Sequence, residues 1–547
     1  MRRVAVGLVS LGIVVGACTR APTPTDGATA SIPPDPAPSA PEQSIPPPPV
    51  ELAKAPLPAG PVVTASTEQA HGQAQARLLR GKRLPALQPA GDRSDRSVSV
   101  GLLADAERLD VERDVQLEVQ PDAEPDAESD AQSNAESDAQ LGDGTVEPPP
   151  MPGVFVPIAD PAQSEALASF HAALAALQQR RDPDGKVRVA MYGASGTAAD
   201  LAVGYVRTYL QARFGDGGPG FVPLVPLSRW YRHNEVVVRA AKGWRKEHAQ
   251  VRKGRHDGHY GLLGASFSAT AGKRWARIEP KKSSRSCEGI GHVELFFLRQ
   301  PGGGSFRVWL DGDPAQTVST HADAFEPGYH VIDVAPGAHT VHVETVDDAE
   351  VRVFGAVLER PDPGVVVDVL GIDGTRSSNM LTWNEALWAD NLRRRAPDLY
   401  TLSYGTNESV DDELSIPLYA EDLRAELRRF AQALPDASCL LLGPVDFPIL
   451  EDGQVRPRPV LREIIEVQRQ VAVEEGCGFW DGIAFMGGEL SMSTWVQSQP
   501  PLARADHLHF TKWGAARKGM ALADALMHAF DARVNTPSVE APSAALP

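Results

Sequence analysis

The sequence predicts an α/β fold: a five-stranded parallel sheet covered by helices on both faces, with an antiparallel β-sandwich inserted into it. Two observations predict this. From about residue 151, short apolar runs of strand length alternate with helical stretches. Between about 229 and 362 the alternation stops, and period-two runs separated by Gly, Asp and Pro turns take over.

The elements follow in order. The Ala/Leu-rich stretch 161–181 reads as a helix, 186–192 as a strand and 198–214 as a helix. After the period-two region, strands are expected at 365–370, 398–404, 438–443 and 477–481. Helices near 381–395, 415–434, 456–475 and 511–530 separate or follow them. Within the insert, 292–298, 305–310, 329–334, 339–346 and 350–358 alternate apolar and polar residues, as half-buried strands do. In a parallel sheet the ligand crevice lies at the carboxyl ends of the strands, so residues just past those ends are the first functional candidates.

At 547 residues the chain has room for two or three domains. Arg2 and Arg3 precede a short apolar run, 4–15, and then Val15-Gly16-Ala17-Cys18. The run is too short to span a bilayer as a mature helix. The small residues before Cys18 resemble a bacterial lipobox. That resemblance implies a signal peptide over 1–18, lipid on Cys18 and anchoring in the cell envelope. Thr19 carries no inner-membrane retention signal, so the expected place is the outer membrane, facing the periplasm or the cell surface.

Residues 19–150 read as a disordered tether. The stretch 22–58 is rich in Pro, Ala and Ser, and 121–140 repeats a tetrad five times: PDAE, PDAE, SDAQ, SNAE, SDAQ. Residues 101–150 hold 15 Asp/Glu against 2 Arg, so most of the chain's net charge of −18 belongs to the tether and does not imply a cationic substrate. A tail, 533–547, is expected to be disordered as well. Beyond Cys18 the chain has Cys287, Cys439 and Cys477, an odd number that implies no disulfide framework. Cys439 and Cys477 open two expected strands. Whether they pair is open, and both read as buried small apolar residues.

Five positions carry the chemistry. Ser195, in Gly193-Ala194-Ser195-Gly196, lies at a strand-to-helix turn, where its hydroxyl is exposed and backbone amides favour a developing negative charge. Gly374 and Asn407 each follow an apolar strand in a Gly-containing turn, and with the Ser195 amide they supply three candidate oxyanion donors. Asp506 and His509 precede the last helix. A carboxylate three residues before a histidine can bond one ring nitrogen and leave the other free as a base.

The order Ser, Gly, Asn, Asp-x-x-His resembles the four blocks of the SGNH (GDSL-type) hydrolases, over roughly 185–225 and 365–530. The resemblance implies a flavodoxin-like three-layer αβα domain made of 151–228 and 363–532. The segment 229–362 would then be an inserted β-sandwich, similar to the carbohydrate-binding-like one in some peptidoglycan O-acetylesterases. One position departs from the family: Ala194 stands where an Asp usually supports the turn.

Other signals carry less. Gly215-Asp-Gly217-Gly-Pro-Gly220 matches a dinucleotide fingerprint but follows a helix and contains Pro219, so it reads as a loop. His507 and His509 form a pair without a third ligand, which argues against a metal site. His507 is a rival base, though Asp506 has the better reach to His509. His256 and His259 read as solvated surface. Residues 229–285 carry 15 Lys/Arg against 4 Asp/Glu, with Trp230, Tyr231, Trp244 and Trp275 interleaved. For an exported protein this points to an anionic glycan or a solvated face rather than nucleic acid.

The expectation is therefore a monomeric, lipid-anchored serine esterase with no cofactor or metal. It would remove acyl groups, acetyl first among them, from a polysaccharide or peptidoglycan. The triad is Ser195, His509 and Asp506; the oxyanion donors are Ser195, Gly374 and Asn407. The alternatives are a non-catalytic glycan-binding lipoprotein and an acyltransferase. A chain starting at 151 is expected to match the full chain on a soluble ester. Cys18→Ser should lose membrane partitioning in detergent phase separation; partitioning equal to wild type would remove the lipobox assignment.

Overall fold

The computed structural model describes residues 60–89, 151–160, 166–251, 254–270, 273–284, 286–346 and 349–535. Cys18, the acidic repeat and the C-terminal residues from 536 lie outside the described residues.

Five strands form one parallel sheet: β1 (Lys186–Gly193), β2 (Gly364–Gly371), β3 (Leu399–Ser403), β4 (Ser438–Leu442) and β5 (Gly478–Trp480). Their order across the sheet is β2-β1-β3-β4-β5. The order reverses between β1 and β3, which opens a crevice at the strand ends there. β2 is buried throughout and β1 nearly so, as a sheet covered on both faces requires. Alternate residues serve opposite layers. Val187, Val189 and Met191 join one apolar core, together with Tyr205, Leu210 and Leu526 from helices. Ala190 and Tyr192 join the other, with Leu427 and Phe430.

The helices fall where the periodicity places them: α2 (Ala168–Gln178), α5 (Glu385–Arg395), α6 (Ile416–Ala433), α7 (Pro459–Glu474) and α10 (Lys512–Asn535). The helix expected over 198–214 is two pieces, α3 (Ser195–Ala198) and α4 (Ala202–Phe214), broken at Asp200 with φ 51°. Two short helices, α8 (Gly482–Met486) and α9 (Ser491–Gln497), lie between β5 and α10.

The insert is two antiparallel sheets. One orders Gln316–Ser319, Ser305–Leu310, Val341–Thr345, Trp275–Pro280 and Val236–Ala240; the other orders Glu326–Gly337, Ile290–Arg299, Val351–Glu359, Ala265–Ala269 and Arg245–His248. Phe297 and Phe306, one from each sheet, meet edge to face at 5.2 Å. Gly220–Pro223 pairs with Val351–Glu359, so the sandwich begins nine residues before the expected boundary at 229. Four fully buried residues are too few to display a period.

The neck where the insert leaves and rejoins the core is ionic. Asp368 of β2 accepts two bonds from Arg395 of α5, at 2.6 and 3.0 Å, and one from the Phe221 amide at 2.8 Å. Arg395 also pairs with Glu359, which takes two bonds from Arg188 of β1 at 3.1 and 3.2 Å. Burial pushes the Glu359 carboxyl up, but Arg395 and Arg188 outweigh it and hold it at about 2.

Two expectations need correction. Residues 60–89 are not tether: α1 (Ala65–Leu79), capped by Thr64, packs on α4 and α10. Its buried face is Thr67, Ala70, Ala74, Gln75 and Leu79, at helical spacing but mostly small or polar, so no apolar period betrays it. Polar contacts fix it. His71 bonds Tyr205 Oη at 2.9 Å and Asp524 at 2.8 Å, and Arg77 meets the buried Glu235 at 2.7 Å. Gln88–Pro89 then pairs in parallel with Val154–Phe155. Arg517 of α10 donates to carbonyls on both segments, including Pro152 at 3.1 Å, Gly153 at 3.2 Å and Pro85. A chain starting at 151 would bare the surface that α1 covers. The second correction concerns Cys439 and Cys477, which form a disulfide. The β4–β5 register, Leu440 opposite Gly478, puts the preceding residues side by side. Cys287 is free and buried.

Arg395→Met should lower stability at pH 7 by about 3–5 kcal/mol, because it leaves the buried Asp368 without its cation and Glu359 with Arg188 alone. Glu359 stabilises fully above its ordinary value of 4.5 and loses this as pH falls toward about 2. Denaturant titrations should therefore show the wild-type advantage shrinking across that window.

Candidate active site

β1 ends at Gly193, and Ser195 opens α3 two residues later. A Cβ on Gly193 would stand 2.2 Å from Thr197 Oγ1, so glycine is what lets the turn fold back over the strand end. The Ala194 carbonyl accepts the Thr197 and Ala198 amides at 3.1 and 3.0 Å. Further along, the buried Asp200 is gripped by Arg207 at 2.8 and 3.1 Å and accepts the Asn234 amide at 2.6 Å. This carboxylate supports the α3–α4 junction in a chain whose residue 194 has none to offer.

His509 comes from a tight loop before α10. The Arg504 amide donates to the His509 carbonyl at 2.8 Å, and the Thr511 amide to the Leu502 carbonyl at 3.0 Å. Asp506 Oδ1 accepts the Leu508 and His509 amides at 3.0 and 2.9 Å, which leaves Oδ2 for His509 Nδ1 at 2.8 Å. Burial alone would raise the Asp506 carboxyl. The His509 amide and ring and the Leu508 amide outweigh it and hold the carboxyl below its ordinary value. His509 Nε2 lies 3.3 Å from Ser195 Oγ. Ser195, His509 and Asp506, separated by more than 300 residues in sequence, thus stand in one hydrogen-bonded line. His507, at φ 52°, has Nδ1 3.4 Å from Ser493 Oγ and takes a different neighbour.

The turns after β2 and β3 meet beside Ser195. Asn407 Nδ2 donates to the Thr375 carbonyl at 2.8 Å, which occupies one of its two hydrogens. Glu408, itself buried, accepts the Gly405 and Ser377 amides at 2.8 Å each and so ties the two turns together. Gly374 has φ 77°, and its carbonyl accepts from Gln250. A cavity of about 140 Å³ is lined by Ser195, His509 and Asn407, with Trp230, Arg504 and Lys518 among its other walls; Gly374 is not part of the lining. Trp230 stacks on His509, ring centres 5.9 Å apart and planes 7° from parallel.

Sequence reasoning did not find three of these contributors. Glu408 was passed over beside Asn407. Asp200 was hidden inside a supposed continuous helix. Lys518 sits on the last helix with nothing local to mark it. Trp230 was noted only as part of a basic, aromatic stretch.

Residues 336–517 match the GDSL-like Lipase/Acylhydrolase family. The chain carries a GDSL-like acylhydrolase domain. By that domain it is a hydrolase acting on ester bonds. The matched segment contains the last two strands of the sandwich and Gly374, Asn407, Asp506 and His509, while Ser195 lies upstream of it. No curated protein sequence matches the chain. Among solved structures, one titled "Peptidoglycan O-acetylesterase in action, 5 min" is 24% identical, with TM-score 0.57, covering 69% of this chain and 99% of that one. A family two carbohydrate esterase from Cellvibrio japonicus is 12% identical, with TM-score 0.23, covering 54% of this chain and 98% of that one. A lipase/acylhydrolase from Enterococcus faecalis is 17% identical, with TM-score 0.23, covering 31% of this chain and 77% of that one. The likeness to the first gives the acylhydrolase its overall fold, an αβα domain with inserted β-sheets.

Proposed function

We propose that the protein is a serine esterase that removes acyl groups, O-acetyl first among them, from a cell-envelope or extracellular polysaccharide. The observation that carries this reading is the line from Ser195 Oγ through His509 to Asp506, at 3.3 and 2.8 Å, with Ser195 and His509 on the wall of one cavity. Ser195 Oγ attacks the ester carbonyl carbon, and its proton passes to His509 Nε2. The carbonyl oxygen becomes an oxyanion that the Ser195 amide, the Gly374 amide and the free hydrogen of Asn407 Nδ2 stabilise, each by about 3–4 kcal/mol at most. The intermediate collapses, and the departing sugar oxygen takes the proton from His509. Water then repeats the sequence on the acyl-enzyme, releasing the acid and restoring Ser195. Asp506, kept ionised, holds His509 with Nε2 free throughout.

The polysaccharide part of the reading draws on the likeness to a peptidoglycan O-acetylesterase and on the basic stretch that opens the sandwich. Trp230 from that stretch lies over His509 and lines the cavity, so the stretch borders it. The lipid anchor at Cys18 remains part of the proposal; the Cys439–Cys477 disulfide favours an oxidising, exported setting for it.

Full-length protein should hydrolyse p-nitrophenyl acetate. Ser195→Ala and His509→Ala should each lower turnover by about three decades or more without unfolding, while His507→Ala costs far less. An inactivating His507→Ala would overturn the assignment of the base. Charge reversal at Arg245 and Lys246, with Arg252 and Lys253 outside the described residues, should raise KM for an acetylated anionic polymer, most at low salt. The kcat on the small neutral ester should stay nearly unchanged. Equal loss on both substrates would make the stretch part of the catalytic pocket, and no loss on either would leave the glycan reading without its main support.

A further inference from the structure

The cavity that holds Ser195 has a cation in its wall that the hydrolytic chemistry does not use. Lys518, on α10, lines it alongside Leu201 and Ala202 of the α3–α4 region and Ala515 of its own helix. The position is fixed by packing. A Cβ on the next residue, Gly519, would stand 2.6 Å from Tyr205 Cβ, so α10 lies close against α4 there and cannot turn Lys518 away. The residue is partly exposed where it lines the cavity, and burial of its surroundings weakens the hydration of its ammonium.

Among the described residues lining the cavity there is no Asp or Glu, and no described carboxylate or carbonyl pairs with Lys518. Arg517, the neighbouring residue on α10, shows the contrast, since its guanidinium is spent on carbonyl oxygens of the chain itself. Burial alone pushes the Lys518 ammonium down to about 8, so it stays mostly charged at neutral pH with nothing in the protein to meet that charge. A partly desolvated cation with no charge partner among the described residues favours an anion that enters the cavity.

We propose that Lys518 is a substrate-recognition residue whose ammonium receives a carboxylate carried by the ester substrate close to the scissile bond. The proposal rests on the esterase reading and deepens it: the preferred ester belongs to an acidic sugar unit or carries an acidic acyl group. The shared chemistry is a carboxylate within reach of both Ser195 and Lys518. The source, acyl side or alcohol side, is what the probes separate.

Three esters test it on the full-length protein: p-nitrophenyl acetate, with no carboxylate; p-nitrophenyl hydrogen succinate, with one on the acyl side; and 4-acetoxybenzoate, with one on the alcohol side. Lys518→Met should raise KM for one of the two anionic esters by about tenfold or more, the range of a lost charge-assisted bond. It should leave kcat, the neutral ester and the melting temperature nearly unchanged. Lys518→Arg should restore most of the loss. The affected anionic ester names the side. Equal effects on all three esters, or none, would overturn the proposal. Calorimetric binding of 4-acetoxybenzoate and of succinate to Ser195→Ala, with and without Lys518→Met, reads the same contact without turnover. A Lys518-dependent affinity in a wild type that hydrolyses none of the esters would sink the esterase reading and keep the anion site. Affinity independent of Lys518 for both anions would sink the anion site alone.

Discussion

The buried bonds among Arg395, Asp368, Glu359 and Arg188 are the constraint on which the rest of the molecule depends. They join β2, α5, β1 and the last strand of the sandwich at the point where the insert leaves and returns. Ser195 stands on one side of that insert, and Asn407, Asp506 and His509 on the far side. The site exists because β1 and β2 align over eight pairs, from Lys186 opposite Gly364 to Gly193 opposite Gly371, across a separation of more than 170 residues. Closing so long a loop costs conformational entropy, though the cost grows slowly with length. The neck repays that cost with charge pairs that are satisfied only when both crossings are in register.

Much of this was legible in the sequence, for reasons that can be traced to particular residues. Val187, Val189, Val365, Val367 and Leu440 sit in short, continuous apolar runs because both faces of the sheet are covered. The helices on the outer layers show their period because one face of each meets water. The line of Ser195, His509 and Asp506 was readable because each residue sits in a local context with a chemical meaning, a turn or an i, i+3 pair. What escaped notice lacks such local marks. α1 buries alanines, a glutamine and a threonine rather than a leucine stripe. Glu408 works through two backbone amides, which have no sequence signature. The break at Asp200 depends on Arg207 and Asn234, partners that sequence alone does not bring to it.

The site's electrostatics are arranged in layers. Asp506 is ionised beside His509, while behind the Asn407 turn the buried carboxyls Glu408 and Glu426 are both raised, Glu426 well above its ordinary value, chiefly by desolvation. Burial thus disfavours negative charge behind the Asn407 turn, while hydrogen bonds favour it on Asp506 beside His509. The cavity wall itself presents cationic and neutral groups, among them Arg504, Lys518 and His509. An anionic group that enters the cavity therefore meets no acid in the described lining to repel it.

The pairing of Gln88–Pro89 with Val154–Phe155 changes what the acidic segment between them is. Both of its ends are clasped to the same place by Arg517, and the chain before it is already bound to the domain through α1, His71 and Arg77. The described chain on either side of residues 90–150 therefore meets at one place, and the domain continues upstream of that segment to residue 60. A protease that cut anywhere within them would sever the backbone without setting the hydrolase free. The upstream piece would stay docked by contacts alone, and release would be governed by the dissociation of one helix rather than by the cut.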